Sequence, residues 1–439
     1  MNLVSLSKIK LATALLALAL CATDAVAMEH KDPAASAAAA SMAVSSSSST
    51  ATLDEIKTIA PLTGSRGDKL NKLLYDELDP MPPELIAIIV EYDDYDFKGT
   101  YVKPLNSGSI SGLIQLTKGF YKDHIVSGSD DGTIRIWDLK SGACVKFLTG
   151  QAEYIRYIIQ LSNGHIAFDS NDNDTITIKT WDPTIDDKKS ACVNTLTGHT
   201  GDIRYLVQLT GRYKNHIAFG SDNGDLRVWN SQSGKCIRTI KKDYSLCLIQ
   251  LNNGYIAFDS ADNNAIKIWD LETNTCVQTL TGHTEYMHKL IQLDNGHIVS
   301  SSDDNTIRSW DPKSGKCLKT LTGGSYAASC LIQLSNGNIA FDSDDDNTIK
   351  IWNPNVDDAK GASVKTLTGH TQHILCLIQL DNGYLASGSN DGTIKIWDIE
   401  SGECVKTLKS HKGPVYYLIQ LADGRLVSGS DDDTIIIWK

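Results

Sequence analysis

The sequence predicts an all-β fold built from eight copies of one four-stranded unit. Its eight tryptophans all occupy one recurring short strand, as in GTIKIWD, at intervals of 40 to 48 residues. That interval is the period of a repeated four-stranded unit, and chance does not keep so large and rare a residue in step with it. The tryptophans are Trp137, Trp181, Trp229, Trp269, Trp310, Trp352, Trp397 and Trp438.

The strands of one unit are clearest at residues 374–408. The runs ILCLIQL, YLASGS, TIKIWD and ECVKTL are separated by the turns DNG, NDG and IESG. Short apolar and β-branched runs bounded by Gly, Asn or Asp are typical of antiparallel strands joined by tight turns. We name these strands a, b, c and d in chain order.

The net charge of the chain argues against a nucleic acid partner. The 439 residues carry a formal net charge of −12, whereas binding to a phosphate backbone needs concentrated Lys and Arg. We therefore expect no nucleic acid partner. The length suggests two or three domains, but a repeat array can fill it with one.

Residues 1–27 have the order of a secretory signal peptide: two lysines, the apolar run 11–22, and the small-residue site 25–27. The apolar run is too short for a stable membrane span. We expect an exported protein (periplasmic, extracellular or host-directed) with no stable membrane span after cleavage. An uncleaved anchor or a chance helix is the alternative, and an unused signal leaves the protein cytoplasmic. A lipoprotein anchor at Cys21 is a weaker interpretation because bulky Leu20 precedes it.

Three further regions follow the signal. Residues 28–51 are rich in Ala and Ser and predict a disordered tether. Residues 52–97 predict a short helical region, with a capping box at Thr52 to Glu55 and apolar helix faces after it. Residues 98–439 contain the repeats.

The repeats resemble the WD-repeat family. Gly-His pairs stand at 198–199, 282–283 and 369–370, and Trp-Asp pairs at 137–138, 181–182, 269–270, 310–311 and 397–398. The resemblance covers about 340 residues and implies a β-propeller whose blades surround a central channel. From the count of strands we expect an eight-bladed WD-repeat β-propeller.

The last repeat stops at Trp438-Lys439, after its strand c. GTYVKPLNSG (99–108) matches GECVKTLKSH (402–411) position by position and supplies the missing strand d. We expect residues 99–105 to complete the last blade and close the ring, which leaves no open edge between the first and last blades.

The resemblance also implies a hydrogen-bonded set of His, Ser, Asp and Trp within a blade. The matching sets are His283, Ser300, Asp304 and Trp310; His370, Ser387, Asp391 and Trp397; and His411, Ser428, Asp432 and Trp438. Hydrolases also use His, Asp and Ser, but in each set the His precedes the Trp by 27 residues. This periodicity indicates architecture, so we expect no catalytic residue, no metal and no cofactor.

Blades 2, 4 and 6 depart from this set. Phe168, Phe258 and Phe341 replace the Ser, and the Gly-His pair is absent. Replacing both partners can be nearly neutral, so we expect little loss of stability there. Blade 1 keeps Ser127 without a His and blade 3 keeps His199 beside Phe219, so both should be locally weaker or rescued by water.

The b–c turns of blades 2, 4 and 6 are rich in acids. Calcium prefers several oxygens on a flexible loop, but none of these turns has the EF-hand spacing. We therefore expect solvated turn acids. The acids are Asp169, Asp172, Asp174, Asp259, Asp262, Asp342, Asp344, Asp345 and Asp346.

Nine cysteines recur at equivalent places in successive repeats, six in strand d and three in strand a. Equivalent positions in neighbouring blades lie farther apart than a disulfide spans. We expect them to be free, small, buried apolar residues. Each strand a also carries a Gln, which predicts hydrogen bonds between blades.

Two faces offer candidate binding residues. The face with the d–a and b–c turns carries Tyr154, Tyr244, Tyr286, Tyr326 and His373. The opposite face has long a–b loops at 117–123 and 210–215, which supply Phe120, Tyr121, Lys122, Arg212, Tyr213 and Lys214. Aromatic side chains and variable loops on a repetitive scaffold favour recognition, although rim-covering tyrosines and unselected insertions are the alternatives.

The sequence therefore predicts a monomeric, non-enzymatic scaffold that binds a protein or peptide through its loop faces. The alternative depends on MPPELIAIIVEY (81–92), which resembles the opening helix of an F-box. That resemblance implies a substrate adaptor for a ubiquitin ligase, here one delivered as an effector into a eukaryotic cell. An F-box needs about three helices, whereas this chain enters its closing strand soon after Tyr92.

Overall fold

The computed structural model describes the repeat region in segments. These are residues 99–102, 109–149, 154–172, 175–186, 192–197, 203–221, 225–241, 247–260, 264–322, 328–343, 346–355 and 365–438. The predicted signal, tether and helical region, including 81–92, lie outside the described residues. No helix within the described segments is long and apolar enough to cross a membrane.

The described residues form 32 strands, one short 3-10 helix (Gly211–Tyr213) and eight four-stranded antiparallel sheets. Strand β1 is Gly99–Val102. Blade 1 contains β2 (Ile110–Gln115), β3 (Ile125–Ser129), β4 (Ile134–Trp137) and β5 (Cys144–Leu148). Blade 2 contains β6 (Ile158–Gln160), β7 (Ile166–Asp172), β8 (Thr175–Trp181) and β9 (Cys192–Leu196). Blade 3 contains β10 (Ile203–Gln208), β11 (His216–Ser221), β12 (Asp225–Asn230) and β13 (Lys235–Lys241). Blade 4 contains β14 (Leu248–Gln250), β15 (Ile256–Ser260), β16 (Ala265–Asp270) and β17 (Thr275–Leu280).

The second half of the ring repeats this plan. Blade 5 contains β18 (Met287–Gln292), β19 (Ile298–Ser302), β20 (Thr306–Trp310) and β21 (Cys317–Leu321). Blade 6 contains β22 (Leu331–Gln333), β23 (Ile339–Ser343), β24 (Thr348–Trp352) and β25 (Lys365–Leu367). Blade 7 contains β26 (Ile374–Gln379), β27 (Leu385–Ser389), β28 (Thr393–Trp397) and β29 (Cys404–Lys409). Blade 8 contains β30 (Val415–Gln420), β31 (Leu426–Ser430) and β32 (Ile435–Trp438), with β1 as its fourth strand. The prediction of an eight-bladed all-β fold is confirmed.

The core lies between neighbouring blades. Strand b is buried along its whole length in blades such as 7, as expected for a strand covered on both faces. Between blades 8 and 1, Val427 and Ile437 pack in one cluster with Ile110 and Trp137. Burial of apolar surface at this seam stabilises the closed ring.

A glycine in strand b permits the close approach of the next blade. A Cβ on Gly429 would lie 2.9 Å from Cγ2 of Ile110, and one on Gly128 would lie 2.9 Å from Cγ2 of Ile155. At these two positions a larger residue must displace the isoleucine of the neighbouring blade. Blade 5 has Ser301 at this position, and its hydroxyl donates to the carbonyl of Ala328 in blade 6 at 2.7 Å.

The recurring Gln of strand a links successive blades. Oε1 of Gln250 accepts from the backbone N–H of Thr210 at 2.6 Å, and Oε1 of Gln292 accepts from that of Asn252 at 2.7 Å. The same bond crosses the seam, where the N–H of Ala422 donates to Oε1 of Gln115 at 3.2 Å. The bonds between blades that the sequence predicts are therefore present.

Strand β1 pairs with β32, but not in the register of the sequence match. In blade 7, Leu408 lies opposite Ile394, so the match would place Leu105 opposite Ile435. The structure places Val102 opposite Ile435 and Gly99 opposite Trp438. This register places all four pairs ahead of Pro104, which lacks the N–H that a strand ladder uses. Residues 103–105 of the predicted closing strand lie outside the described residues.

Candidate functional site

The three His-Ser-Asp-Trp sets form continuous hydrogen-bond chains. In blade 5, Nε1 of Trp310 donates to Oγ of Ser300 at 2.8 Å. Oγ of Ser300 lies 2.7 Å from Nε2 of His283, and Nδ1 of His283 lies 2.8 Å from Oδ2 of Asp304. Because the hydroxyl accepts from the indole, its own proton is free for Nε2, and Nδ1–H then donates to the carboxylate.

Blades 7 and 8 repeat this arrangement. The Trp–Ser and Ser–His distances are 2.8 Å and 2.7 Å in both blades. Nδ1 of His370 lies 2.9 Å from Oδ2 of Asp391, and Nδ1 of His411 lies 3.2 Å from Oδ2 of Asp432. The resemblance therefore placed all three sets on residues that meet in the structure.

Burial and hydrogen bonding set the charges of these groups. Burial lowers the pKa of His283, His370 and His411, so each imidazole favours the neutral form. Burial also raises the pKa of Asp391, but hydrogen bonds from Thr393, the Thr371 N–H and His370 outweigh it and lower the pKa to about 2. The chain thus joins a neutral His to an ionised Asp.

The order Ser, His, Asp is that of a hydrolase triad, but the serines cannot reach a substrate. Ser300, Ser387 and Ser428 each have 0% of their surface exposed, and their hydroxyls already accept from a Trp indole. A nucleophile must approach its substrate closely. The geometry therefore supports a structural role.

Blade 2 leaves its tryptophan without the hydrogen-bond acceptor that the Ser supplies in other blades. Phe168 removes the acceptor of Trp181, and among the described residues Nε1 of Trp181 has no hydrogen-bond partner. The expectation of little stability loss considered only the Ser and the His, whereas an unpaired buried indole N–H costs about 1–3 kcal/mol. In blade 4, by contrast, Trp269 is half-buried and its Nε1 reaches Oδ1 of Asn274 at 3.4 Å.

Blades 1 and 3 differ from each other. Nε1 of Trp137 donates to Oγ of Ser127 at 2.9 Å, so the serine of blade 1 accepts a hydrogen bond without a His. In blade 3, Nε1 of Trp229 lacks a partner among the described residues, and its ring stacks on Phe219. His199 lies outside the described residues.

The expectation that the turn acids are solvated is wrong for the first acid of each turn. Asp169, Asp259 and Asp342 are buried. Oδ1 of Asp169 accepts from the N–H of Tyr157 at 2.7 Å, and Oδ1 of Asp259 accepts from that of Cys247 at 2.7 Å. These carboxylates satisfy the start of strand a, which spans only three residues in these blades.

The remaining acids give no metal site where they can be described. Asp346 is exposed and pairs with Nζ of Lys350 at 2.7 Å. Within the described segments, no group of three or more His, Cys, Asp or Glu is arranged to hold a metal ion. Residues Asp174, Asp262, Asp344 and Asp345 lie outside those segments.

The expectation of buried cysteines is wrong for strand d. Cys236, Cys276, Cys317 and Cys404 are exposed, and Cys144 and Cys192 are half-buried. Strand d is the outermost strand of each sheet, so less of the protein covers it than covers strand b. No disulfide joins any of the nine described cysteines, and of the strand-a group only Cys247 is fully buried.

The face with the d–a and b–c turns presents two of the predicted binding residues clearly. Tyr286 is 55% exposed, and His373 is exposed. Tyr154 is half-buried, with the Arg156 guanidinium 4.7 Å from its ring centroid. Tyr244 and Tyr326 lie outside the described residues.

On the opposite face, the a–b loops of blades 1 and 3 share one internal support. Tyr121 packs edge-on against His124, and Nδ1 of His124 lies 3.2 Å from the carbonyl of Lys122. Tyr213 packs edge-on against His216, whose Nδ1 lies 3.3 Å from the carbonyl of Tyr213. Neither histidine was predicted as a site residue, although the sequences Tyr-Lys-Asp-His and Tyr-Lys-Asn-His contain them.

The a–b turn of blade 2, residues 161–165, lies between these two loops and joins them into one surface. A Cβ on Gly164 would lie 3.5 Å from Cα of Gly119, and Oγ of Ser162 donates to the carbonyl of Lys214 at 2.8 Å. We call residues 117–123, 161–165 and 210–215 the blade 1–3 loop surface. The predicted candidates Phe120, Tyr121, Lys122, Arg212, Tyr213 and Lys214 all lie on it.

This surface contains a cleft of about 190 Å³ between blades 1 and 2. Phe120 and Tyr121 form one wall, and His165 and Asp182 form the other. Phe120 is 80% exposed and packs edge-on against Tyr121 with ring centroids 5.0 Å apart. Nε2 of His165 lies 3.4 Å from Oδ2 of Asp182, and this second wall was also missed from sequence.

A family model agrees with the fold. The model for the WD domain, G-beta repeat matches residues 108–138, 190–230, 274–311, 315–353, 361–398 and 402–439, a little over half of the chain. The protein therefore belongs to the WD40 repeat family of β-propellers. The matches omit most of blades 2 and 4.

Two known proteins are similar to parts of this chain. The crystal structure of the computationally designed Ika8 protein superposes with a TM-score of 0.63 and 26% identity, covering 76% of this chain and 96% of that one. Nuclear distribution protein PAC1-2 of Uncinocarpus reesii (strain UAMH 1704) is 37% identical over 57 residues. That match covers 13% of this chain and 12% of the relative's length.

Proposed function

We propose that this protein is a non-enzymatic scaffold that binds a protein or peptide through the blade 1–3 loop surface. The observation that carries the proposal is Phe120, which is 80% exposed beside a cleft of about 190 Å³. His124 and His216 hold the aromatic loops in place before any partner arrives. Loops ordered in advance lose less conformational entropy on binding, which favours affinity.

The face with the d–a and b–c turns is a weaker candidate for partner recognition. Tyr286 is exposed there, but Tyr154 already stacks with Arg156. A large aromatic contributes most to binding when it enters a pocket on the partner or lines one on its own surface. Phe120 and Tyr121 line a cleft, so the a–b loops are the better candidates.

Site-specific photo-crosslinking tests this choice of face. A benzophenone amino acid replaces Phe120 in one variant and Tyr286 in a matched control, and both proteins are irradiated with extracts of the cells that produce or receive the protein. We expect one discrete partner to crosslink from position 120 and not from position 286. A partner captured only from position 286, or from neither position, contradicts the proposal.

A scaffold role also predicts the result of removing a network histidine. His370→Ala should leave no enzymatic activity to lose, because the adjoining Ser387 is buried and bonded to Trp397. Broad hydrolase substrates, assayed on the wild-type protein and this variant at equal folded concentration, provide the measurement. Hydrolysis by the wild type that this substitution abolishes would contradict the non-enzymatic assignment.

The sequence motif at 81–92 supports a second candidate, an F-box-like substrate adaptor for a ubiquitin ligase. This candidate requires the full-length protein to bind the ligase adaptor and a Leu85→Asp/Ile89→Asp variant to lose that binding. The residues concerned lie outside the described part of the chain. An absence of binding by the full-length protein rejects this candidate and leaves the scaffold proposal intact.

We also propose that the protein is exported through residues 1–27. The support is the order of charged, apolar and small residues in that segment. Amino-terminal sequencing of protein recovered outside the cytoplasm should begin at Met28. Protein found only in the cytoplasm with residue 1 retained would contradict export.

A further inference from the structure

We infer that the blade 1–3 loop surface recognises an acidic peptide segment that carries one aromatic or large aliphatic side chain. This inference rests on the proposed binding function and specifies the chemistry of the partner. Two features of the surface carry it: exposed lysines that lack ionic partners, and an aromatic-walled cleft beside them.

Three lysines are exposed on this surface. Lys118, Lys122 and Lys214 are exposed, and none forms an ion pair with another residue that the structure describes. Arg212 differs because Glu272 neutralises it. On a protein with a net charge of −12, three unpaired lysines at one site favour an acidic partner.

The nearby carboxylates weaken this attraction only in part. Asp182 lies in the second wall of the cleft, and its Oδ1 accepts from the N–H and Oγ1 of Thr184 at 2.9 Å and 2.7 Å. Asp138 is held in the same way by Ser141. Both are recessed, whereas Asp123 is the exposed acid on the loop itself. The three exposed lysines therefore outnumber Asp123, the exposed acid of the blade 1–3 loop surface.

The cleft supplies an apolar anchor site. Leu116, Phe120 and Tyr121 contribute apolar surface, and Gly119 and Gly164 leave its floor without side chains. A volume of about 190 Å³ accepts one side chain rather than a folded element. Burial of one such side chain stabilises a complex, while the flanking acids of the peptide give steering and register.

Fluorescence anisotropy with the full-length protein and three labelled synthetic peptides tests the inference. The first peptide is Glu-rich with one central Trp, the second has Ser in place of the Trp, and the third has Lys in place of each Glu. We expect the first to bind at least about tenfold more tightly than either other peptide, and to weaken as salt rises. Equal binding of the three, or preference for the Lys peptide, overturns the inference.

Matched variants locate the binding. Lys118→Glu/Lys122→Glu and Phe120→Ala should each weaken the first peptide about tenfold or more. Lys313→Glu alters an exposed lysine on the same face in blade 5 and should leave binding unchanged. Thermal unfolding establishes that all variants are folded. Equal weakening by Lys313→Glu would mean a diffuse charge effect and overturn the inference.

The outcomes separate this inference from the proposed function. Crosslinking from position 120 to a partner that the acidic peptide does not displace keeps the binding face and rejects the acidic chemistry. No crosslinking and no peptide binding rejects both. Concentration-dependent dimerisation that Lys118→Glu/Lys122→Glu abolishes identifies the occupant as a second copy of this chain and rejects the peptide.

Discussion

At the scale of single residues, hydrogen bonds fix the position of the tryptophan in each His-Ser-Asp-Trp set. The indole of Trp397 donates to Ser387, and the same hydroxyl lies 2.7 Å from Nε2 of His370. Shifting the tryptophan by one residue would point it to the other face of the strand. The chain of bonds therefore requires the spacing. In blades 2 and 3, which lack the Ser, the buried indole N–H has no partner among the described residues.

Ser387→Ala should reduce the free energy of unfolding by at least about 1–3 kcal/mol, because it leaves Nε1 of Trp397 and Nε2 of His370 buried and unpaired. Urea denaturation followed by tryptophan fluorescence measures the change. Ser233→Ala, at an exposed serine of a c–d turn, is the control and should be close to wild type. Equal stability of both variants would contradict the network's structural role.

Acidification should destabilise the protein below neutral pH. Burial lowers the pKa of His283, His370 and His411 from 6.5 in the folded state, so the unfolded chain takes up more protons as the pH falls through about 6.5. Asp391, whose pKa is about 2, adds a further loss below its unfolded pKa of 3.8. Urea denaturation at pH 7.5, 6 and 5 should show falling stability.

Protonation of Asp169 has the opposite effect on the stability of the protein. Burial raises its pKa to about 6, so the folded protein takes up its proton first and gains stability as the pH falls from about 6 towards 4. Asp169→Asn should therefore make the loss of stability on acidification steeper, and His370→Gln should make it shallower. Identical pH profiles for both variants and the wild type would contradict these assignments.

At the element scale, strands a to d and their turns could be predicted because each is short, apolar and bounded by Gly, Asn or Asp. The burial of individual side chains on these strands and turns could not be predicted. Cys404 lies in the outermost strand and is exposed, and Asp169 turns inward to cap strand a, although turn acids usually face water. Both depend on which neighbour covers a strand, and a local sequence pattern does not encode that.

Only part of the blade 1–3 loop surface could be predicted from the sequence. Loop length marked 117–123 and 210–215, which the structure joins through Ser162. The wall formed by His165 and Asp182 comes from another blade, so local sequence gave no sign that it lies beside Phe120. Recognition residues that converge from several elements require the fold to be known.

Gln115→Ala should weaken the seam between blades 8 and 1. It removes the acceptor of the Ala422 N–H, and the loss of such a bond costs about 0.5–1.5 kcal/mol. Differential scanning calorimetry should show a lower Tm. Gln372→Ala, an exposed position in a d–a connection, should not change the Tm, and equal effects would argue against a specific seam bond.

At the scale of the whole molecule, a ring joined at one seam depends on its last blade. That seam has an apolar cluster with Val427 and Ile110, the Gln115 bond and the pairing of β1 with β32. Open strand edges recruit other chains. The pairing therefore contributes to solubility as well as to stability.

Truncation tests the closing strand. A chain starting at residue 109 lacks β1, so β32 becomes an unpaired edge, and we expect a lower Tm and concentration-dependent association by light scattering. A chain starting at residue 94 keeps β1 and serves as the matched control. Equal Tm and equal scattering for the two truncations would show that β1 does not complete blade 8.

The central claim is that the repeated positions support the fold and the variable loops bind the partner. The most direct test places a benzophenone amino acid at position 214 and measures the yield of crosslinked partner per folded molecule. The yield is compared in two variants of the protein. His370→Ala should lower the Tm and leave the yield unchanged, whereas replacing residues 117–123 with the Asp-Asn-Gly turn of blade 7 should preserve the Tm and abolish the yield. The reverse pattern, with His370→Ala abolishing the yield and the loop replacement leaving it intact, would contradict the claim.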